Sequence, residues 1–431
     1  MFQTITNAWK IPDLRKKILY TLFMLIIFRF GSFIPVPFLS TDAIQAFMGS
    51  MGEDSLLNLM NMFSGGAFSQ ATIFAMSISP YINASIIMQL LTVAIPALER
   101  ISKEGVEGRK KIAQWSRYLT VVLALVQAWG LYMALNKTLL NNSADIPGWL
   151  VAITIILTFT AGTAFLMWLG EQINEKGIGN GISMLIFAGI VSRGPILVST
   201  IWNGIKGGSL NWIVVIIFAI VAVLVIGFVV FMNNAERRIP VQYSKRVVGR
   251  KMYGGQSTHI PIKVAAAGVM PIIFAMSIMA FPATIAGFFG KTADNTTGFW
   301  GGVLDWMSPD HWFYAVLYFL LILFFTYFYT AIQYNPIEMA NNMKKNGGFI
   351  PGIRPGKTTS DYINKSMSKI TLAGAIFLGI IAVLPIMISL FTKVNISIGG
   401  TSLLIMVGVA LETVKQLESQ MVMRHYKGFL E

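Results

Sequence analysis

Apolar residues in this chain fall in blocks of roughly twenty, separated by polar stretches rich in Lys, Arg, Gly and Pro. A helix rises about 1.5 Å per residue, so about twenty apolar residues match a hydrocarbon core of about 30 Å. The pattern predicts ten spans, at 18–38, 71–94, 115–136, 149–170, 181–201, 211–234, 266–290, 312–332, 368–391 and 397–414. They divide into two sets of five, over 1–201 and 202–431. An odd number per set turns the second upside down relative to the first. That is the arrangement of inverted repeats, which commonly place a pathway between them. The expected fold class is an all-α polytopic membrane protein of ten helices in two inverted five-helix halves.

One stretch, Ser55 to Leu91, departs from the simple pattern. Leu56 to Phe63 is short, apolar and methionine-rich, Gly65-Gly66 breaks it, and a full-length apolar run follows from Ala71 to Leu91. The first piece reaches under about 20 Å, too short to span. Two readings stay open. It is a re-entrant element, tolerated at membrane depth only against protein or a water-filled cavity, or an amphipathic helix on the outer surface.

Composition fixes the class. Of 431 residues 55% are hydrophobic and 12% charged, with a mean hydropathy of +0.65, against about 25% charged residues in soluble domains. The chain has no cysteine, which excludes disulfides, thiolate zinc sites and iron–sulfur clusters. Its opening, MFQTITNAWKIPDLRKK, lacks a signal peptide's apolar core and cleavage site, so the first span is expected to remain in the mature protein.

Charge sets the orientation. There are 33 Lys+Arg against 19 Asp+Glu, a formal net charge of +14. One side of the predicted topology receives 27 of the basic residues, concentrated in the N-terminus and in 95–117, 235–265 and 333–369. The other side receives five, and Arg29 lies about midway along the first predicted span. By the positive-inside rule both termini are cytoplasmic.

Three features bear on function. The loops 235–265 and 333–369 are several times longer than ordinary connections of about 4–6 residues, and they mix Gly/Pro turns with basic side chains. They suit an acidic or large docking partner, or serve only to set topology. Ile78 and Ile82 are four apart, as are Ile182 and Ile186, so each pair shares a helix face. Such faces are ordinary lipid or core contacts, or the walls of a constriction that excludes water without charge. Arg29, Asn83, Gln89 and Gln127 are polar groups at membrane depth, suited to interhelical hydrogen bonds or to a substrate path. His259, His311 and His425 all fall outside the spans, which weakens a proton-coupled transporter. The sequence carries no GxxxxGK[ST], no HExxH and no dinucleotide fingerprint, and the GIGNG run at 177–181 reads as a tight turn. Any nucleotide consumed in transport must be bound by another protein.

Several long motifs, in order, resemble the SecY family of protein-conducting channels. They are FRFGSFIPVP (28–37), NMFSGGAFSQATIFAMSISPYINASIIMQLL (61–91), EGVEGRKKIAQWSRY (104–118) and FLMWLGEQINEKGIGNGISMLIFAGIV (165–191). GGQSTHIPIKVAAAGVMPIIFA (254–275), NPIEMANNMKKNGGFIPGIRPGK (335–357) and GGTSLLIMVGVALE (399–412) continue the match over essentially the whole chain. The resemblance implies two halves clamped around a central pore, and a re-entrant plug helix at about 55–68 seated below an apolar ring.

The same resemblance assigns residues. The plug comprises Leu56, Leu57, Leu59, Met60, Met62, Phe63, Gly65 and Gly66, with the glycine pair as its flexible link. The ring comprises Ile78, Ile82, Ile182, Ile186, Ile273 and Ile405. A lateral gate to lipid lies between the second and third and the seventh and eighth spans, with Asn83, Gln127 and Phe281 contributing. Arg354, and less directly Arg250, Lys251 and Lys263, dock a motor or ribosome. The implied activity is translocation of unfolded secretory polypeptides across the bacterial cytoplasmic membrane and lateral release of transmembrane segments. The implied partners are the small subunits SecE and SecG, the SecA ATPase, the ribosome, signal-bearing polypeptides and lipid. No cofactor, metal, catalytic residue or specific DNA contact is implied. The bottom-up alternative is an ion-coupled small-solute transporter with inverted repeats.

Overall fold

The structure, a computed structural model, describes residues 2–42, 44–45, 61, 64–135, 147–207, 212–243, 246–248, 251–253, 257–265, 267–288, 302, 306–307, 311–392 and 400–427. Within them the chain is mostly helical, and a helix occupies each of the ten predicted intervals. The first set comprises α1 (Phe2–Lys10), α2 (Pro12–Gly31), α3 (Ser79–Ala94), α4 (Pro96–Lys103), α5 (Val106–Leu135), α6 (Gly148–Lys176), α7 (Gly181–Ser192) and α8 (Gly194–Lys206). After α9 (Trp212–Asn234) come four strands, β1 (Glu236–Tyr243), β2 (Arg246–Val248), β3 (Lys251–Tyr253) and β4 (Ser257–Lys263). Then follow α10 (Met270–Phe288), α11 (Trp312–Gln333), α12 (Pro336–Lys345), β5 (Gly348–Phe349), α13 (Lys357–Thr392) and α14 (Gly400–Lys427). Among the described residues four helical stretches are long and apolar enough to cross a membrane, or five if the bent pair α3–α4 is one span.

Local chemistry sets the helix starts. Proline stands in the first turn of α2, α3, α4, α8 and α12, where its fixed φ suits the helix and its missing N–H has no partner to lose. Asn180 and Asn335 cap α7 and α12 by accepting from the next two free backbone amides. Pro96 forces Ile95 into extended backbone, and α4 leaves α3 at 102°.

Several predicted boundaries are corrected. The first span is α2, twelve to thirty-one rather than 18–38, so Arg29 sits in the helix's last turn and not midway. Its charge there faces the negative end of the helix dipole, a favourable place for a cation. The second span is helical only from Ser79, because the 64–78 stretch runs as turns with Ala71 (φ 51) and Ser77 (φ 54) in the left-handed region. The fifth span is two helices joined at Arg193. Helices α5, α6, α13 and α14 run past their predicted limits as polar turns carry on the helix beyond the apolar block.

The long loops contain strands: β1 pairs antiparallel with β4 and also with β5, in the order β4-β1-β5. The two loops therefore form one sheet. Ile239 and Val241 of β1 alternate inward onto Ile262, Met343, Ile350, Ile363 and Met367. Pro240 is tolerated in the middle strand because β5 pairs only with Gln242 and Tyr243.

The two helical sets share a backbone design. Ser77 lies two residues before α3 and Gly268 (φ 60) two before α10, and each helix carries proline as its second residue. Four residues before each positive-φ position a carbonyl crosses a glycine of a later helix. A Cβ on Gly162 of α6 would stand 2.0 Å from the Ile73 oxygen, and one on Gly374 of α13 would stand 2.2 Å from the Val264 oxygen. Glycine is required at both crossings because the obstacle is backbone. The helices α7 and α14 also repeat a sequence: Gly181, Ser183, Leu185, Ile186 and Gly189 recur as Gly400, Ser402, Leu404, Ile405 and Gly408.

Candidate functional site

The proposed ring residues come from four elements, and their spacing brings five of the six to one apolar cluster. Buried Ile186 (α7), Ile273 (α10) and Ile405 (α14) belong to it, and half-buried Ile82 (α3) and Ile182 (α7) pack against it. The sixth, Ile78, is 2% exposed in an adjoining cluster with Phe74, Leu166, Leu169 and Leu185; Ile82 and Ile182 border both. Side chains from both helical sets thus meet in a single apolar body. Branched apolar groups give an ion no substitute for its hydration shell, so such a body blocks ions without a charged barrier.

Sequence reasoning missed Val269. It directly precedes α10 as Ile78 directly precedes α3, it is 5% exposed, and it lies in the same cluster as Ile186, Ile273 and Ile405. The repeated register of 77–82 against 268–273 was the available signal.

The irregular 64–78 stretch contributes Ala67, Phe74 and Ile78 to the adjoining cluster. Its backbone is paired with the protein: the Val36 amide donates to the Ala71 oxygen at 2.8 Å and the Ile73 amide to the Ile34 oxygen at 3.0 Å. Glycines make room for it. A Cβ on Gly31 would meet the Phe74 ring at 2.2 Å, so both Gly31 of α2 and Gly162 of α6 serve as seats. Leu56, Leu57, Leu59, Met60, Met62 and Phe63 of the expected plug lie outside the described residues. Gly65 (φ 66) and Gly66 (φ 90) occupy a turn, and Gly65 is close-packed: a Cβ there would lie 3.0 Å from the Gly189 Cα.

The expected lateral-gate elements are neighbours. Helix α3 packs on α5 and α10, and α10 packs on α5 and α11. Asn83 and Gln127 are half-buried on α3 and α5, and Phe281 lies on α10 with its side chain outside the described residues.

The expected docking residues are set by the sheet and the turn after it. Lys263 ends β4 opposite Glu236 and is exposed. Burial first, and Lys263 second, lower the Lys415 amine from its ordinary value, while Glu236 and Glu418 oppose them. Arg354 is exposed in the turn between Gly352 (φ 81) and Gly356 (φ 117), and its carbonyl accepts from the Thr359 hydroxyl at 2.9 Å. Lys251 lies on β3, its side chain outside the described residues, and Arg250 lies outside them altogether.

Comparison with known proteins places this arrangement. The SecY family model matches residues 72–414. The protein translocase subunit SecY of Streptomyces scabiei is 47% identical over 442 residues, covering all of both chains. That of Bacillus subtilis (strain 168) is 47% identical over 441 residues, again end to end. Among solved structures, one described as a protein conducting channel superposes with a TM-score of 0.64 at 20% identity, covering 97% of each chain. Another, concerning a SecY plug domain that stabilises the closed state and maintains a membrane seal, gives 0.65 at 20% identity and 97% of each chain. Sec61 in a canine ribosome–channel complex gives 0.61 at 19% identity, with the same coverage.

Proposed function

The chain belongs to the SecY family, and on that premise we propose how its residues divide the work of a protein-conducting channel in the membrane. The carrying observation is the apolar body to which α3, α7, α10 and α14 each contribute isoleucine. We read Ile78, Ile82, Ile182, Ile186, Ile273 and Ile405, with Val269 as the counterpart of Ile78, as the constriction around a passing chain. A ring of flexible apolar groups closes on an extended polypeptide of any sequence, and seals against ions when empty. The piece Leu56–Phe63 is the plug that backs this seal, and the 64–78 turns are its base.

The two sets of five helices are the inverted halves, with both termini in the cytoplasm of a bacterial cytoplasmic membrane. The shared register of 73–82 and 264–273 supports that division. Asn83, Gln127 and Phe281 line the seam through which apolar segments leave for lipid. We read Lys263 at the end of β4 and Arg354 in the exposed turn after β5, with Arg250 and Lys251 from the 235–265 loop, as the contacts for a SecA motor or the ribosome, and SecE and SecG as the clamp on the bundle. The chain itself carries no catalytic step; the motor, the ribosome or the membrane potential supplies the energy. The relatives are translocase subunits, which favours this reading over an ion-coupled transporter.

Reconstitution tests it. The purified complex in proteoliposomes, given the motor ATPase, ATP and a signal-bearing precursor, should yield protease-protected precursor. No protected precursor under any energised condition contradicts the channel reading.

A further inference from the structure

Arg29 is a cation at the end of an apolar helix, and one of its partners is a backbone oxygen of the 64–78 turns. Its Nη1 lies 3.3 Å from the Gly65 carbonyl oxygen and 3.3 Å from the Ser192 Oγ, and donates to both. The guanidinium carbon stands 4.6 Å from the Phe33 ring centroid. Ser192 is the last residue of α7; its hydroxyl donates to the Gly189 oxygen at 2.8 Å and lies 3.4 Å from the Gly65 oxygen. A Cβ on Gly65 would fall 2.7 Å from that Oγ, so a glycine is needed for the carbonyl to reach this corner. Helices α2 and α7 and the glycine turn therefore converge on one backbone oxygen.

The turn is tied together by its own hydrogen bonds. The Gly66 amide donates to the Asn61 carbonyl at 2.9 Å, the Ser69 amide to the Asn61 Oδ1 at 3.0 Å, and the Phe68 amide to the Ser64 Oγ at 3.2 Å. What holds Gly65 is thereby tied to Asn61, Ser64, Phe68 and Ser69.

We propose that Arg29 is a positioning residue of the gate, latching the Gly65 carbonyl and the Ser192 hydroxyl so that the plug base stays seated until a chain enters. The proposal rests on the plug reading above. A guanidinium bond is charge-assisted, about twice as strong as a neutral one. Half-buried Arg29 spends one end of its guanidinium on these two acceptors, and displacing the turn leaves them without their charged donor. Once the pathway fills with water, the guanidinium is solvated and the latch releases at little cost. The same group thus favours closure when the channel is empty and permits opening when it is occupied.

The test uses the assembled complex in proteoliposomes and two readouts, ion leak and thiol labelling. Arg29→Gln should raise the resting ion leak about tenfold, a shift of about 1.4 kcal/mol in the closed-to-open balance, and Arg29→Lys should recover part of the seal. The chain is free of cysteine, so a single Ala67→Cys, at a position 1% exposed, reports seating directly. A membrane-impermeant thiol reagent should label it about tenfold faster beside Arg29→Gln, given the same shift. Should Arg29→Gln fail to assemble, Ser192→Ala keeps the charge and should raise the leak by a smaller factor. Leak and labelling equal to wild type in the assembled variants overturn the latch. A chain lacking residues 55–63 separates the two readings. A rise in leak there with none in Arg29→Gln removes the latch alone, whereas no rise in either removes the plug and the latch together.

Discussion

The first two spans of each half enclose a long insertion, 32–78 between α2 and α3 and 235–269 between α9 and α10. Both end alike: a carbonyl over a glycine, a positive-φ residue four positions later, then a helix with proline in its first turn. Their contents differ. The first holds short apolar and small residues, and its described part at 64–78 is bound to the surrounding helices through Arg29, Gly31 and Gly162. The second alternates apolar and charged residues as a hairpin, and builds a sheet with a strand from the loop before α13. One slot in a repeated fold thus carries an irregular backbone bound to the surrounding protein in one half and a paired sheet in the other. An irregular backbone inside a membrane protein needs protein partners for its polar groups, whereas a hairpin at the surface supplies its own.

The largest effect should come from breaking what the two insertions share. Gly162→Val and Gly374→Val each drive a side chain into backbone at about 2 Å, which no rotamer relieves. Each should lower the yield of monodisperse, protease-resistant channel about tenfold or more. Assembly of one variant but not the other would break the equivalence of the two crossings.

Next come changes that should separate the platform from the constriction. Arg354→Glu on the exposed turn should cut motor-driven precursor protection about tenfold, as charge reversal at a docking contact does, while the resting leak stays at the wild-type level. Ile186→Asn should do the opposite, raising resting conductance several-fold in single-channel recordings with docking of the motor unchanged. An Arg354→Glu channel that exports normally removes the platform role. The smallest effect belongs to a pair outside either insertion. Arg117 on α5 meets Glu171 on α6 at 2.6 Å with 46% and 21% of the side chains exposed, so Arg117→Gln should lower stability by less than about 1 kcal/mol in denaturant titration.

Much of this was legible in the residues. Blocks of apolar sequence gave the helix positions, proline and asparagine marked several starts, and the long motifs gave the family. An internal repeat was present too, since Gly181–Gly189 and Gly400–Gly408 share glycine, serine, leucine and isoleucine at equal spacing. That repeat is hard to see because the segments between its copies differ in length and content. The alternation of Ile239 and Val241 hinted at a strand, but its partner β5 comes from another loop, and no local pattern reveals a long-range pairing.

The sequence by itself determined a membrane-spanning helical protein, its charge asymmetry and its family, because span length, hydropathy and motif order are local properties. Only the tertiary structure decided that residues 64–78 are not helix, that Val269 stands where Ile78 does, and that Gly65 is a packed contact under Arg29 and Ser192. Those facts depend on which backbone atoms approach from other helices. A serine at φ 54 or a glycine with no room for a methyl group looks in sequence like any other serine or glycine.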